Sequence, residues 1–197
     1  MAINLLDKTV AALGYTPLKK IDPNTENVKH KGIRNSKEVL SQSVIPAVLA
    51  AISHLSKSDE GIATITSGNQ QNWSSALFGT HREQVIGNIA GYAMNDYAAA
   101  EAEVNNVASK AITIINEHIT DCSNNNKQLK DFIKNQRDNI LPYLPGQLHL
   151  GNLLDNSTID DNTNKMAGPV SSLMHKIQAS FGGNETAEDA TKKENEI

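Results

Sequence analysis

The chain has 197 residues, enough for one compact domain, and its 39% hydrophobic and 20% charged residues are typical of a folded protein rather than a disordered one. The net charge of −4 argues against a general nucleic-acid binder, because contacts to phosphates need a basic surface. Aromatic residues make up only 4%, so small and aliphatic side chains must fill the interior, which favours packed helices over sheets.

Three features predict a cytoplasmic protein. The single Cys122 cannot form an intramolecular disulfide, which favours a reducing compartment. The first residues lack the basic and apolar regions of a secretory signal. The longest uncharged apolar run, residues 44–52, is shorter than the roughly 20 residues that a membrane helix needs, so we expect no membrane span.

Residues 1–34 are predicted to form a short helix and a basic loop. Asn4 is a favourable N-cap for the helix, and Gly14 is a favourable stop. The polar stretch that follows is interrupted by prolines and rich in lysine, which predicts a solvated linker. The alternative is a docking arm for an acidic partner or for the chain's own acidic tail. Its possible interaction residues are Lys29, Lys31 and Arg34.

A central helix is predicted over residues 39–55. Asn35 and Glu38 resemble a capping box before it, and its second part is apolar on every side. Pro46 removes one backbone hydrogen bond, so we expect a kink or a break in the preceding turn. Residues 61–71 have weak periodicity and predict a connector, with a short helix within it as the less favoured alternative.

The next helices are marked by turn and capping residues. Residues 73–78 predict one or two helical turns, and Thr80 with Glu83 resembles the capping box of a longer helix. Gly87 and Gly91 lie at the edge of its apolar stripe, which predicts close helix packing, with a ligand or partner contact as the alternative. The stripe consists of Val85, Ile86, Ile89, Ala90, Ala93 and Met94.

The second half of the chain continues the helical pattern. Residues 97–119 form the strongest amphipathic pattern, and residues 127–144 predict a further helix that ends at two prolines. A last helix is predicted over residues 168–181. The expected fold is all-α, an irregular multi-helix bundle of about five to seven helices. Its parts are a short N-terminal helix and basic loop (1–34), a helical core domain (35–182) and a disordered acidic tail (183–197).

The sequence predicts no catalytic, cofactor-binding or metal site. No two of the six histidines are four residues apart on a helix, so we expect packed histidines. The polar loop at residues 155–164 alternates oxygen side chains, but Lys165 and Ser171 occupy the glycine and glutamate positions of a calcium loop. Cys122 follows a helix C-terminus, where the helix dipole disfavours a reactive thiolate.

Two short segments resemble a known family. Residues 43–52 read SVIPAVLAAI, and ALFG at residues 76–79 leads into VIGNIA at residues 85–90. In the YidB-like family of bacterial proteins of unknown function, a similar apolar helix with an internal proline precedes an L-F-G turn and a small-residue helix. The resemblance covers about residues 36–119. It implies a bacterial, all-helical protein and brings no catalytic residues with it.

Two functions are consistent with these patterns. Amphipathic helices without a convergent polar site predict a non-enzymatic helical interaction or scaffold protein, with a protein partner or self-association. The alternative is a small-ligand or metal-dependent enzyme whose site assembles from scattered His, Asp and Tyr side chains.

Overall fold

The computed structural model describes residues 3–21, 36–120 and 126–154, and these residues form helices and no β-strand. The all-α prediction is therefore confirmed for this part of the chain. The predicted last helix (168–181) and acidic tail (183–197) lie outside the described residues. The helices are α1 (Leu5–Ala12), α2 (Ser36–Leu55), α3 (Asp59–Ser67), α4 (Trp73–Phe78), α5 (Arg82–Ala93), α6 (Tyr97–Thr120), α7 (Asn126–Asn135), α8 (Arg137–Ile140) and α9 (Leu150–Leu153).

Helix α2 is the centre of the core. Every residue from Val39 to Ile52 is buried, so the helix has no solvent-exposed face over four turns. Helices α5 and α6 make its most extensive contacts, and α1, α4 and α8 also pack against it. Among the described helices, α2 is long and apolar enough to cross a membrane by length and composition, but most of it is covered by the other helices.

The predicted break at Pro46 does not occur, because α2 runs through this residue without interruption. In the turn before it, the hydroxyl of Ser41 donates to the carbonyl oxygen of Glu38 (3.0 Å), and that of Ser43 donates to the carbonyl oxygen of Leu40 (2.9 Å). Pro46 itself is buried among the packed helices. Burial on all sides therefore holds α2 together despite the backbone bond that proline removes.

Most of the predicted connector at residues 61–71 is helical, because α3 runs to Ser67, so the alternative of a short helix in this segment is the correct one. Ser58 caps this helix by accepting a hydrogen bond from a backbone N–H (2.9 Å), and Gly68 ends it in the left-handed conformation (φ +62°). Ile62 and Ile65 lie one turn apart and are buried. Capping and this apolar pair outweigh the low helix propensity of Thr64 and Thr66.

The N-terminal ends of the helices were only partly predictable. Asn4 caps α1 as predicted, since its Oδ1 accepts two backbone N–H bonds at 3.0 and 3.3 Å. The capping box predicted at Thr80 and Glu83 is wrong. A short 3₁₀ helix over Gly79–His81 leads directly into α5, and no side chain caps it.

The predicted amphipathic helix over residues 97–119 is confirmed as α6, whose apolar residues Val104, Val107 and Ala111 are fully buried. The helix predicted over residues 127–144 is instead divided into α7, α8 and a 3₁₀ turn. The division falls at Gln136, which is buried.

Truncation of a core side chain in α2 should be costly. Ile45 is 0% exposed, so Ile45→Ala leaves a cavity and should lower the free energy of unfolding by about 2–5 kcal/mol. Urea denaturation followed by circular dichroism measures this change. Lys57→Ala at an exposed site is the control and should change stability by less than about 0.5 kcal/mol. Equal effects of the two substitutions would contradict the central position of α2.

Candidate functional site

The predicted interaction residues fall in two places. Lys29, Lys31 and Arg34 lie outside the described residues. Gly87 and Gly91 lie on the exposed side of α5, where a Cβ atom added to either would meet nothing within 4 Å. The predicted close helix packing at these glycines is therefore wrong. The core covers the opposite side of α5, and the glycines leave a smooth surface open to solvent.

The end of α5 places a large apolar side chain in solvent. Met94 was predicted to continue the buried stripe, but α5 ends at Ala93, and Met94 is 79% exposed. Its backbone is left-handed (φ +48°, ψ +48°), and the N–H of Asn95 donates to the carbonyl oxygen of Ala90 (2.9 Å). This is the helix-ending arrangement in which glycine is usually found, because a Cβ atom is unfavourable there.

The turn between α5 and α6 thus combines several exposed apolar features. Tyr97, which opens α6, is 38% exposed. Gly87 and Gly91 are four residues apart on the exposed side of α5, and Met94 directly follows the last residue of this helix. We call these four residues the corner surface.

A polar cluster ties α4, α5 and α6 together. Arg82 donates from Nε to Oε1 of Glu101 (2.8 Å) and from Nη2 to the same oxygen. The same Nε also donates to the Ser74 hydroxyl (3.1 Å). That hydroxyl lies 2.8 Å from Oε1 of Glu101 and 2.7 Å from Oδ1 of Asn72, either of which it can donate to.

This cluster is built for structure rather than for nucleophilic catalysis. Ser74 is 0% exposed, and its backbone N–H is also bound, by Oδ1 of Asn105 (2.9 Å). A nucleophile must reach its substrate, and Ser74 cannot without separating the helices. The hydrogen bonds from Arg82 and then from Ser74 hold the pKa of Glu101 below its usual range.

A second polar contact joins the N-terminal segment to α6. The hydroxyl of Tyr15 donates to Oε1 of Glu103 (2.6 Å), and Nζ of Lys37 lies 5.1 Å from the centre of the Tyr15 ring. Burial, and then the bond to Glu103, raises the pKa of Tyr15. Lys37, in the first turn of α2, is thus engaged in a cation–π contact within the protein.

The histidines and tyrosines were the candidates for an assembled ligand or metal site. No group of three or more His, Cys, Asp or Glu side chains there is placed to hold a metal ion. His118 packs on Phe132 with ring centres 4.7 Å apart, so its predicted packing role is confirmed. The buried hydroxyl of Tyr92 has no partner among these residues, and burial raises the pKa of Tyr92 to about 12, so it is no base at neutral pH.

The chain was compared with protein families, curated proteins and solved structures. No family model, no curated protein and no solved structure matches the chain. The resemblance to the YidB-like family therefore stays a prediction, and the functional argument depends on the geometry described above.

Sequence reasoning missed the features that distinguish the corner surface. Met94 continues the 3.6-residue apolar periodicity of α5, so the sequence indicates a core residue. In the structure, α5 ends one residue earlier, and Met94 is exposed with a left-handed backbone. A methionine followed by Asn95 and Asp96, both frequent in turns, was the available signal.

The Glu101 cluster predicts a specific pH dependence. The folded-state pKa of Glu101 is lowered, so its stabilising contribution is present above its unfolded-state pKa of about 4.3 and is lost as the pH falls below that value. The difference in unfolding free energy between wild type and Glu101→Gln should therefore shrink from pH 6 to pH 3, as measured by urea denaturation.

Two further variants control this experiment. Asn106→Gln changes an exposed, non-ionisable residue of α6 and should show the same pH dependence as the wild type. Arg82→Gln removes the main partner of Glu101 and should lose part of the pH dependence. Parallel stability curves for wild type and Glu101→Gln would contradict the role of this carboxylate.

Proposed function

We propose that the protein is a non-enzymatic helical interaction or scaffold protein and that the corner surface is its contact site. The observation that supports this proposal is the conformation of Met94, a large apolar side chain held in solvent by a left-handed backbone. We further propose a bacterial, cytoplasmic location, as the sequence predicts.

Met94 combines two unfavourable features. A left-handed backbone costs a residue other than glycine roughly 1–2 kcal/mol, and exposure leaves the apolar side chain hydrated. Glycine at this position would remove both costs. Conformational outliers of this kind are typical of binding sites, where a partner supplies the missing contacts.

The rest of the corner surface suits a protein partner. Methionine is flexible and polarisable and adapts to irregular apolar surfaces, while tyrosine is common at interfaces. Gly87 and Gly91 leave room for a partner's backbone to approach α5 closely. The expected occupant is therefore an apolar helix or segment, from another protein or from a second copy of this chain. Lys29, Lys31 and Arg34 are proposed as a separate docking element for an acidic partner.

Association can be tested directly on the full chain. Light scattering across a concentration series measures self-association, and a photo-reactive methionine analogue at position 94 captures whatever contacts the corner surface. We expect a stoichiometric dimer or one stoichiometric crosslinked partner. A monomer at every concentration, with crosslinks only to chaperones, would contradict the proposal.

Replacement of Met94 by glycine should separate stability from binding. Met94→Gly relieves the left-handed backbone and should raise the free energy of unfolding by roughly 1 kcal/mol while weakening association. The matched control is Ala102→Gly, at an exposed position within α6. It should lower stability by about 1 kcal/mol and leave association intact. Undiminished association of Met94→Gly would exclude the corner surface as the contact site.

A further inference from the structure

Residues 3–21, which we call the N-terminal strap, bind to the rest of the protein like a ligand. The strap consists of α1 and the segment without regular secondary structure that follows it. Helix α1 packs against α2, α6 and α8 through the side chains of Leu5, Leu6 and Val10, which are at most 6% exposed.

A buried glutamine holds the start of the strap. Oε1 of Gln136 accepts a hydrogen bond from the backbone N–H of Leu5 (2.9 Å), and its Nε2 donates to the carbonyl oxygen of Ile3 (3.0 Å). Gln136 is only 4% exposed. Its side-chain amide therefore pairs with the strap's backbone in the way a second peptide group would.

A second buried glutamine holds the end of the strap in the same way. Oε1 of Gln42 accepts from the N–H of Lys19 (2.8 Å), and its Nε2 donates to the carbonyl oxygens of Lys19 (3.0 Å) and Tyr143 (3.2 Å). Gln42 is 2% exposed, and the N–H of Ile21 donates to the carbonyl oxygen of Pro142 (2.8 Å) close by. Both ends of the strap are thus recognised through backbone atoms.

We propose that the strap detaches as one unit while the helical bundle stays folded, and that the groove it leaves accepts the strap of a second copy. The groove is formed by α2, α6 and α8, elements that also pack on one another or on the rest of the core. All contacts of the strap can therefore be remade by an identical strap supplied by another molecule.

The chain is long enough for such an exchange. Fourteen residues, 22–35, separate the strap from α2, and fully extended they span up to about 50 Å. Detachment removes the strap's hydrogen bonds to the buried side chains of Gln42 and Gln136, and the loss of these bonds favours rapid reoccupation by whichever strap is available. This mode of association uses none of the residues of the corner surface, so it stands independently of the proposed function.

Hydrogen exchange on the full chain tests the detachment step. We expect the amides of α1 and Lys19 to exchange through an opening that leaves the amides of α2 protected. Leu6→Ala should speed exchange in the strap by at least about 30-fold without changing α2. Lys8→Ala, on the exposed side of α1, is the matched control and should change the exchange rate of neither the strap nor α2. Equal acceleration of strap and α2 by Leu6→Ala would overturn the proposal.

Binding in trans tests the exchange step. A fluorescent synthetic peptide of residues 1–21 should bind the full-length Leu6→Ala chain saturably and more tightly than it binds the wild type, as measured by fluorescence anisotropy. The same peptide carrying Leu6→Ala should bind at least about 30-fold more weakly, and one carrying Lys8→Ala should bind like the wild-type peptide.

Two outcomes of the peptide experiment would overturn the proposal. One is the absence of saturable binding by a Leu6→Ala chain that remains helical by circular dichroism. The other is complete unfolding of that chain, since the bundle would then depend on its own strap. Gln136→Leu, which keeps the approximate size of the side chain, should weaken peptide binding if the backbone clamp is correct.

Discussion

The burial of α2 on every side sets the arrangement of the other helices. A helix with no polar face must be covered from all directions, and every described helix of eight residues or more contacts it: α1, α3, α5, α6 and α7. This requirement also explains why the buried polar side chains of α2 are hydrogen-bonded. Water is excluded there, so Gln42, Ser41 and Ser43 all bond to backbone atoms.

Among the described residues, neutral amide side chains join several of the elements around this core. Gln42 and Gln136 hold the N-terminal strap, and Nδ2 of Asn116 donates to the carbonyl oxygen of Ile65 (3.0 Å). Nδ2 of Asn88 reaches the carbonyl oxygen of Leu148 (3.1 Å) in the same way. Bonds of this kind do not titrate and are little affected by salt, in contrast to the Arg82 and Glu101 pair. These contacts between the elements are therefore little affected by pH and salt.

The two proposed modes of association differ in their physical basis. The corner surface is exposed in the folded protein and offers apolar contact to a partner of undetermined identity. The groove beneath the strap is occupied, and it selects a partner through backbone hydrogen bonds as well as apolar side chains. Association at the corner surface leaves the folded chain unchanged, whereas exchange of the strap requires partial opening.

The sequence alone determined those features that arise from local chemistry. The all-α class, the cap at Asn4, the all-round burial of α2 and the buried face of α6 all follow from capping residues and periodicity within one segment. The tertiary structure alone decided where each helix ends and which partner covers each face. Helix α5 ends one residue before Met94, which is exposed to solvent. The neighbouring helices do not pack on Gly87 and Gly91, which are exposed as well. The clamp between Leu5 and Gln136 joins residues 131 positions apart, a distance over which no local pattern carries information.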